Sequence, residues 1–337
     1  MLATAKVRLA KGHPGDAELF TRRLRTFLTA SKLWSATQGH KTMISLPFST
    51  KTLFGQLAGL TALTFFAGSL AAGSVEAEEW SKSYSVNGRA RVHVDSNDGS
   101  VRVTTGESAQ VEFRVTYNGY TMDKNLNITS RQDGNQVEVS ARVRNGINWG
   151  WGGIHKSLRI EVHMPRNADL TVDTGDGSVE SDAVNGSLDI HTGDGHIRVE
   201  GARGDIRLRT GDGSIEGHDL DGKLEATTGD GHVNLDGRFD SLNIKTGDGS
   251  ITARANPGSK LENGWNIRTG DGSVTMSVPG DLQANIDATT NDGRISLGIP
   301  VTVEGNMGTS QIHGKMNGGG QQLTIHTGDG SIHLSKT

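Results

Sequence analysis

Cysteine is absent from this 337-residue chain, and aromatic residues make up only 5% of it. Without cysteine the chain has no disulfide framework, no thiolate metal site and no cysteine for a lipoprotein anchor. Residues 78–165 also lack the apolar stripe of an amphipathic helix. Glycine, by contrast, occurs 47 times, and this composition favours many short strands joined by glycine turns.

The formal net charge of −4 hides two regions of opposite sign. Residues 1–77 contain nine Lys and Arg against three Asp and Glu, which is about +6. The remaining residues contain 25 basic against 35 acidic side chains, which is about −10. An acidic body argues against a nucleic-acid partner, because phosphate binding needs a basic surface.

An apolar run over residues 53–72 predicts a signal peptide at residues 43–77, cleaved after Ala77. If the run were retained, it would be the chain's membrane contact, since about 20 apolar residues span a bilayer. Residues 1–42 are basic and too long for the start of a signal peptide. They are predicted to be a disordered extension or mistranslated sequence upstream of a true start at Met43. The mature protein is therefore predicted to be exported to the periplasm, the cell surface or the medium.

Residues 78–165 form a predicted N-terminal β part, because apolar and polar residues alternate there, as at Ala90, Val92 and Val94. One segment of this part, residues 145–153, places Trp149 and Trp151 among glycines and asparagines. Exposed indoles would form a platform for a sugar ring or a protein partner. Indoles folded back over the open end of the core are the favoured alternative, because large apolar side chains are usually buried.

A short phrase, Thr-Gly-Asp-Gly followed by Ser or His, organises residues 166–337. Five copies recur every 18 residues, and looser copies surround Asp98, Asp271, Asp292 and Asp329. The aspartates of the five regular copies are Asp176, Asp194, Asp212, Asp230 and Asp248. A fixed short period indicates stacked repeats, and each unit here has two alternating strands around the glycine turn.

Two all-β folds fit such a unit. One is a single-stranded parallel β-solenoid, or β-helix-like fold, with 18-residue coils whose equivalent positions stack about 4.8 Å apart. The other is an antiparallel meander in which each Asp-Gly is a hairpin turn. The constant period favours the solenoid, because equal coils require it. The last copy, residues 323–334, is then expected to be the exposed end of the stack, with His333, Ser335 and Lys336 as a polar cap.

The five aspartates would line one edge of a solenoid, where their like charges repel. One interpretation is a series of Asx turns, in which each carboxylate accepts neighbouring backbone N–H groups. The alternative is a row of weak Ca²⁺ sites, because carboxylates and carbonyls are the ligands of that ion. His196 and His232 follow the second glycine but lie two coils apart, too far for one zinc ion to bridge.

Residues 158–179, LRIEVHMPRNADLTVDTGDGSV, carry a family resemblance. The strand, the Met-Pro pair, the leucine strand and the glycine repeat together resemble the bacterial putative-adhesin domain family of unknown function. The resemblance extends over residues 80–335. It implies an exported, parallel β-solenoid-like domain and brings no catalytic residues with it.

The leading functional hypothesis is an exported, non-enzymatic adhesin-like module at the cell envelope, whose partner is a surface glycan or a protein. An envelope protein-interaction scaffold is the second hypothesis. A carbohydrate-active enzyme on a β-helix is the third. A catalytic site would be a local exception to the repeat, and no such exception is evident among these residues.

Overall fold

The computed structural model describes residues 77–144, 156–303 and 308–337. All regular secondary structure in these residues is β-strand, which confirms the all-β prediction. The N-terminal strands are β1 Glu78–Ser85, β2 Ala90–Ser96, β3 Ser100–Gly106, β4 Gln110–Asn118, β5 Leu126–Asp133, β6 Gln136–Val143 and β7 Ser157–Pro165. The regular repeats form β8 Ala168–Thr174, β9 Val179–Ser181, β10 Asn185–Thr192, β11 Ile197–Glu200, β12 Arg203–Thr210, β13 Ile215–Thr227, β14 Val233–Lys245 and β15 Ile251–Ala255.

The C-terminal strands complete the list: β16 Trp265–Thr269, β17 Val274–Val278, β18 Ala284–Thr290, β19 Ile295–Gly298, β20 Thr302–Val303, β21 Gln311–Met316, β22 Gln321–Thr327 and β23 Ile332–Lys336. Within the described ranges there is no helix that is long and apolar enough to cross a bilayer. The predicted signal peptide, apart from Ala77, and both Trp149 and Trp151 lie outside the described residues.

Strands of the regular repeats pair in parallel with their equivalents 18 residues away. Leu188 in β10 pairs with Leu170 in β8 on one side and with Ile206 in β12 on the other. The second strand of each unit does the same, so that Ile197 in β11 pairs with Val179 and Ile215. One coil therefore consists of two strands separated by the Thr-Gly-Asp-Gly corner, and the regular units stack as the 18-residue period predicts.

Alternation along each strand decides which side chains enter the core. Leu188 and Ile190 are at most 1% exposed, whereas His191 between Ile190 and the corner points to solvent. Outward positions also stack as predicted. Arg207 lies between Asp189 and Glu225 in neighbouring strands, where opposite charges on adjacent strands attract each other.

Both ends of the stack depart from a purely parallel arrangement. At the N-terminal end, β6 and β7 form the outermost coil, and β2 and β3 lie between that coil and β8 and β9. Strand β4 then pairs antiparallel with β7, and β1 pairs antiparallel with β4. At the C-terminal end, β21 pairs antiparallel with β18 and with β20. The sheet is therefore mixed: the regular repeats pair in parallel as predicted, and the expectation of a purely parallel solenoid over residues 166–337 is wrong for β18, β20 and β21.

The last copy of the repeat is not the end of the stack, which corrects the expectation of an exposed final coil. Strand β22 lies between β16 and β18, and β23 lies between β17 and β19. The coil formed by β22 and β23 therefore lies between the coil of β16 and β17 and the coil of β18 and β19, although it comes last in the sequence. His333, Ser335 and Lys336 consequently belong to β23, which is an internal strand, and do not cap an edge.

Candidate functional site

A ladder of buried threonine hydroxyls holds the repeated corner together. Thr192 donates to the carbonyl oxygens of Gly175 and Gly177 in the preceding coil, at 3.0 and 2.9 Å. Its hydroxyl oxygen also accepts the N–H of Gly195, at 3.3 Å. The same set of bonds recurs at Thr210, and the ladder continues in the later coils. These bonds satisfy backbone groups that are shielded from water, so the threonine is structural.

The two glycines of the corner are also required by packing. A Cβ built on Gly213 would lie 1.9 Å from the carbonyl oxygen of Gly195 in the preceding coil. A Cβ on Gly211 would lie 2.6 Å from the carbonyl oxygen of Gly193. Only glycine allows the corners of successive coils to approach this closely.

The side chain of the motif's aspartate makes no hydrogen bond or ion pair in the described regular repeats. The aspartate column comprises Asp176, Asp194, Asp212, Asp230 and Asp248, and all five side chains are exposed. Within the described residues none of these carboxylates accepts a hydrogen bond or forms an ion pair. The predicted Asx contact occurs instead in the looser copy, where Asp98 accepts the N–H of Gly99 at 2.7 Å. Backbone and threonine bonds therefore define the regular corners.

No cluster of three or more histidines and carboxylates suited to a metal ion occurs in the described part of the chain. Calcium binding by the aspartate column remains an untested alternative that needs a measurement in solution. His196 and His232 have a different contact, because their Nδ1 atoms accept the N–H groups of Ser214 and Ser250, at 3.2 and 3.3 Å. Each histidine thus links its own coil to the next.

A groove of about 600 Å³ lies on the outer surface near the N-terminal end, where β1, β4, β7 and β3 run side by side. This volume is within the range of about 300–1,000 Å³ that is usual for ligand sites. The walls are polar and charged, and they include Lys82, Arg102, Glu112, Arg114, Glu161 and His163. Sequence reasoning did not find this groove, since its residues come from four strands that are brought together only by the fold.

Strand register places the charged groups of β4 and β7 in the groove on one face. Glu112 pairs with His163, and Arg114 pairs with Glu161, while Phe113 and Val162 between them are buried. The Nδ1 atom of His163 lies 3.1 Å from the Oγ1 atom of Thr104. This contact fixes the imidazole and leaves its Nε2 atom without a hydrogen-bond partner among the described residues.

Stacked Thr-Gly-Asp-Gly coils within a mixed sheet define the class of this protein as an all-β repeat protein with a continuous apolar core. The family model described as Toastrack DUF4097 matches residues 90–335, and the chain belongs to this family. A comparison with curated proteins finds no match.

Three solved structures illustrate the similarity to proteins of known fold. A "putative cell adhesion protein" from Clostridium sporogenes is 14% identical, with a TM-score of 0.29 over 78% of this chain and 100% of the other. A "putative adhesin" from Bacteroides fragilis is 12% identical, with a TM-score of 0.35 over 76% and 97%. A "putative lipid binding protein" from Parabacteroides distasonis is 13% identical, with a TM-score of 0.40 over 77% and 97%.

Proposed function

We propose that this chain is an exported, non-enzymatic adhesin-like protein that acts as a binding module at the cell envelope. The observation that supports the proposal is the charged groove on the outer surface of the stack. The threonines and glycines of the repeated motif have structural roles. Because the threonine and glycines of the motif stabilise the corners, we expect the ligand to be bound by surface side chains at other positions. A rigid stack that presents such side chains in fixed register suits binding.

The exported signal predicted over residues 43–77 supports a location outside the cytoplasm. The acidic body disfavours nucleic acid as the partner. These features leave a surface glycan or a protein as the class of ligand. A scaffold that binds another envelope protein would use the same exposed faces and is the second candidate.

The test uses the exported protein purified from the envelope or the medium. Whole cells treated with an external protease should lose the protein, and a glycan array probed with the purified protein should show binding to a defined set of glycans. Cross-linking to one envelope protein, without binding on the array, would favour the scaffold. Release of shortened oligosaccharides from a bound glycan would overturn the non-enzymatic proposal.

A further inference from the structure

One charged position in the groove differs from its equivalents elsewhere on the same face. Six side chains stack in adjacent strands with alternating sign; we call this set the charge column, and it runs Arg114, Glu161, Arg102, Glu180, Arg198 and Glu216. The column continues the pattern of opposite charges that stabilises neighbouring strands. A substitution at one member of the charge column can therefore be compared with the same substitution at another member.

Five members of the charge column have an ion-pair partner, and Glu161 has none among the described residues. Arg102 pairs with Glu180 at 3.2 Å, and Arg198 pairs with Glu216 at 2.5 Å. Arg114 pairs with Glu79 in β1, at 3.5 Å. Glu161 stands between two arginines in register, yet both arginines form their ion pairs on the side away from it. This carboxylate is half-buried and lies in the groove.

The other groups in the groove add hydrogen-bonding capacity that the described residues do not use. Glu112 also lacks an ion-pair partner in the described part of the chain, and the Nε2 atom of His163 is available. Lys82 is the cation without a carboxylate partner, and its Nζ atom lies 5.2 Å from the centre of the Tyr84 ring. Lys82 is in register with the buried Phe113, so its side chain lies on the opposite face of the sheet from Glu112 and Glu161. The two carboxylates therefore keep acceptor oxygens without a described cationic partner in the groove.

This set of groups indicates the chemistry of an occupant. A groove with charged walls disfavours a lipid chain, since burying charged groups against hydrocarbon is costly. Free carboxylate oxygens accept strong hydrogen bonds from hydroxyl or ammonium groups. An acidic polymer would bring further negative charge to Glu112 and Glu161, which disfavours uronates and sulfated sugars.

We propose that the groove between β1, β4, β7 and β3 binds a neutral or amino-bearing oligosaccharide, with Glu161 and Glu112 accepting hydrogen bonds from its hydroxyl or amino groups. The assignment rests on the proposed binding function and names its site and ligand class. His163 contributes a further polar contact on the same surface, since it is in register with Glu112. The paired members of the charge column hold the strands around the groove in register.

The experiment measures binding of three tetrasaccharides to the exported full chain by calorimetry. The probes are cellotetraose, which is neutral, the glucosamine tetramer, which carries amino groups, and tetragalacturonate, which is acidic. The variants are Glu161→Gln in the groove and Glu216→Gln as a matched control in the same charge column. We expect cellotetraose or the glucosamine tetramer to bind, and Glu161→Gln to weaken that binding at least about tenfold. Glu216→Gln should change it by less than about twofold.

A melting curve for each variant separates binding from folding. Glu161→Gln should melt no lower than the wild type, because its carboxylate has no described partner to lose. Failure of cellotetraose and the glucosamine tetramer to bind, or stronger binding of tetragalacturonate, would overturn the ligand assignment. Equal glycan binding by Glu161→Gln and the wild type would show that the groove is not the binding site. The proposed adhesin-like function would still stand in that case, because both proteins would bind glycan.

Discussion

The hydroxyl of Thr228 donates a hydrogen bond of 2.8 Å to the carbonyl oxygen of Gly213, which belongs to the preceding coil. The same hydroxyl lies 3.3 Å from the carbonyl oxygen of Gly211. Both contacts are shielded from water, since Thr228 is only 3% exposed. From Thr192 onward, the threonine of the corner thus fastens each coil to its neighbour, in addition to the strand pairing on either side of it.

Thr228→Val should lower the free energy of unfolding by about 1–3 kcal/mol, because it leaves buried carbonyl oxygens without their donor. Thr227→Val is the matched control, since Thr227 is half-exposed and its hydroxyl makes no hydrogen bond within the described residues. The control should change stability by no more than about 0.5 kcal/mol. Urea denaturation of both variants measures the difference, and equal midpoints would contradict the structural role of the ladder.

Ile206→Asp should destabilise the protein by several kcal/mol, because Ile206 is 2% exposed and the change buries a charge inside a coil. Arg207→Asp at the next position should cost under about 1 kcal/mol. Arg207 is exposed, and its pairing with Glu225 at 3.7 Å lies at the surface. Similar melting temperatures for the two variants would show that the inward and outward assignment is wrong.

Asp212→Asn should change the melting temperature little, because the exposed carboxylate of Asp212 holds no backbone group and its removal relieves repulsion along the aspartate column. Addition of millimolar Ca²⁺ should likewise leave the wild-type melting temperature nearly unchanged. Matched Mg²⁺ is the control for ionic strength. A rise of many degrees with Ca²⁺ alone, weakened in Asp212→Asn, would instead establish the column as a calcium site through ligand linkage.

Acid should selectively weaken the ion pair between Arg238 and Asp240, whose Nη1 and Oδ1 atoms are 2.5 Å apart. Hydrogen bonding by Arg238 lowers the pKa of Asp240 below its ordinary value of 3.8. The pair therefore stabilises the fold above pH 3.8, and this contribution is lost as the pH falls through the lowered value. The amount should be under about 1 kcal/mol, because both groups are accessible to solvent.

Comparison of denaturation between about pH 5 and pH 2 tests this linkage. Asp240→Asn should lose less stability than the wild type over that interval. Asp248→Asn, which removes an unpaired exposed carboxylate, should follow the wild type closely. Identical acid dependence in all three proteins would mean that the pair contributes nothing measurable.

The mature protein should begin at Glu78, which is also the first residue of β1. Cleavage after Ala77 would leave the whole of β1 available to pair with β4. Mass spectrometry of the protein from the envelope or the medium should find a peptide that starts at Glu78. An intact peptide spanning Ala77 and Glu78 as the main species would refute cleavage.

Much of the repeat region was predictable from the sequence, because local chemistry and spacing decide it. Alternation along the strands placed Leu188 and Ile190 inside, and the constant period brought Asp189, Arg207 and Glu225 into one outward row. The role of the aspartate was less predictable. Asx turns were the favoured interpretation for the five regular aspartates, yet within the described residues none of their carboxylates accepts a backbone N–H, and Asp98 of a looser copy does so from Gly99.

The groove could not be predicted in this way, since Lys82, Arg102, Glu112 and Glu161 lie in four strands that are distant in sequence. Antiparallel pairing of β1, β4 and β7 brings three of these residues together, and parallel pairing of β7 with β3 adds Arg102. An alternating pattern marks each segment as a strand, but it does not specify which strand lies beside it.

The amino-acid sequence by itself determined the all-β class, the 18-residue coil and the glycine-threonine corner, because these depend on residues close together in the chain. Only the tertiary structure decided the order of the coils at the two ends. Strand β22 carries the same motif as its neighbours, so its pattern is compatible with any position in the stack. Its place between β16 and β18 follows from long-range packing, in which the coil of β22 and β23 lies between the coil of β16 and β17 and the coil of β18 and β19.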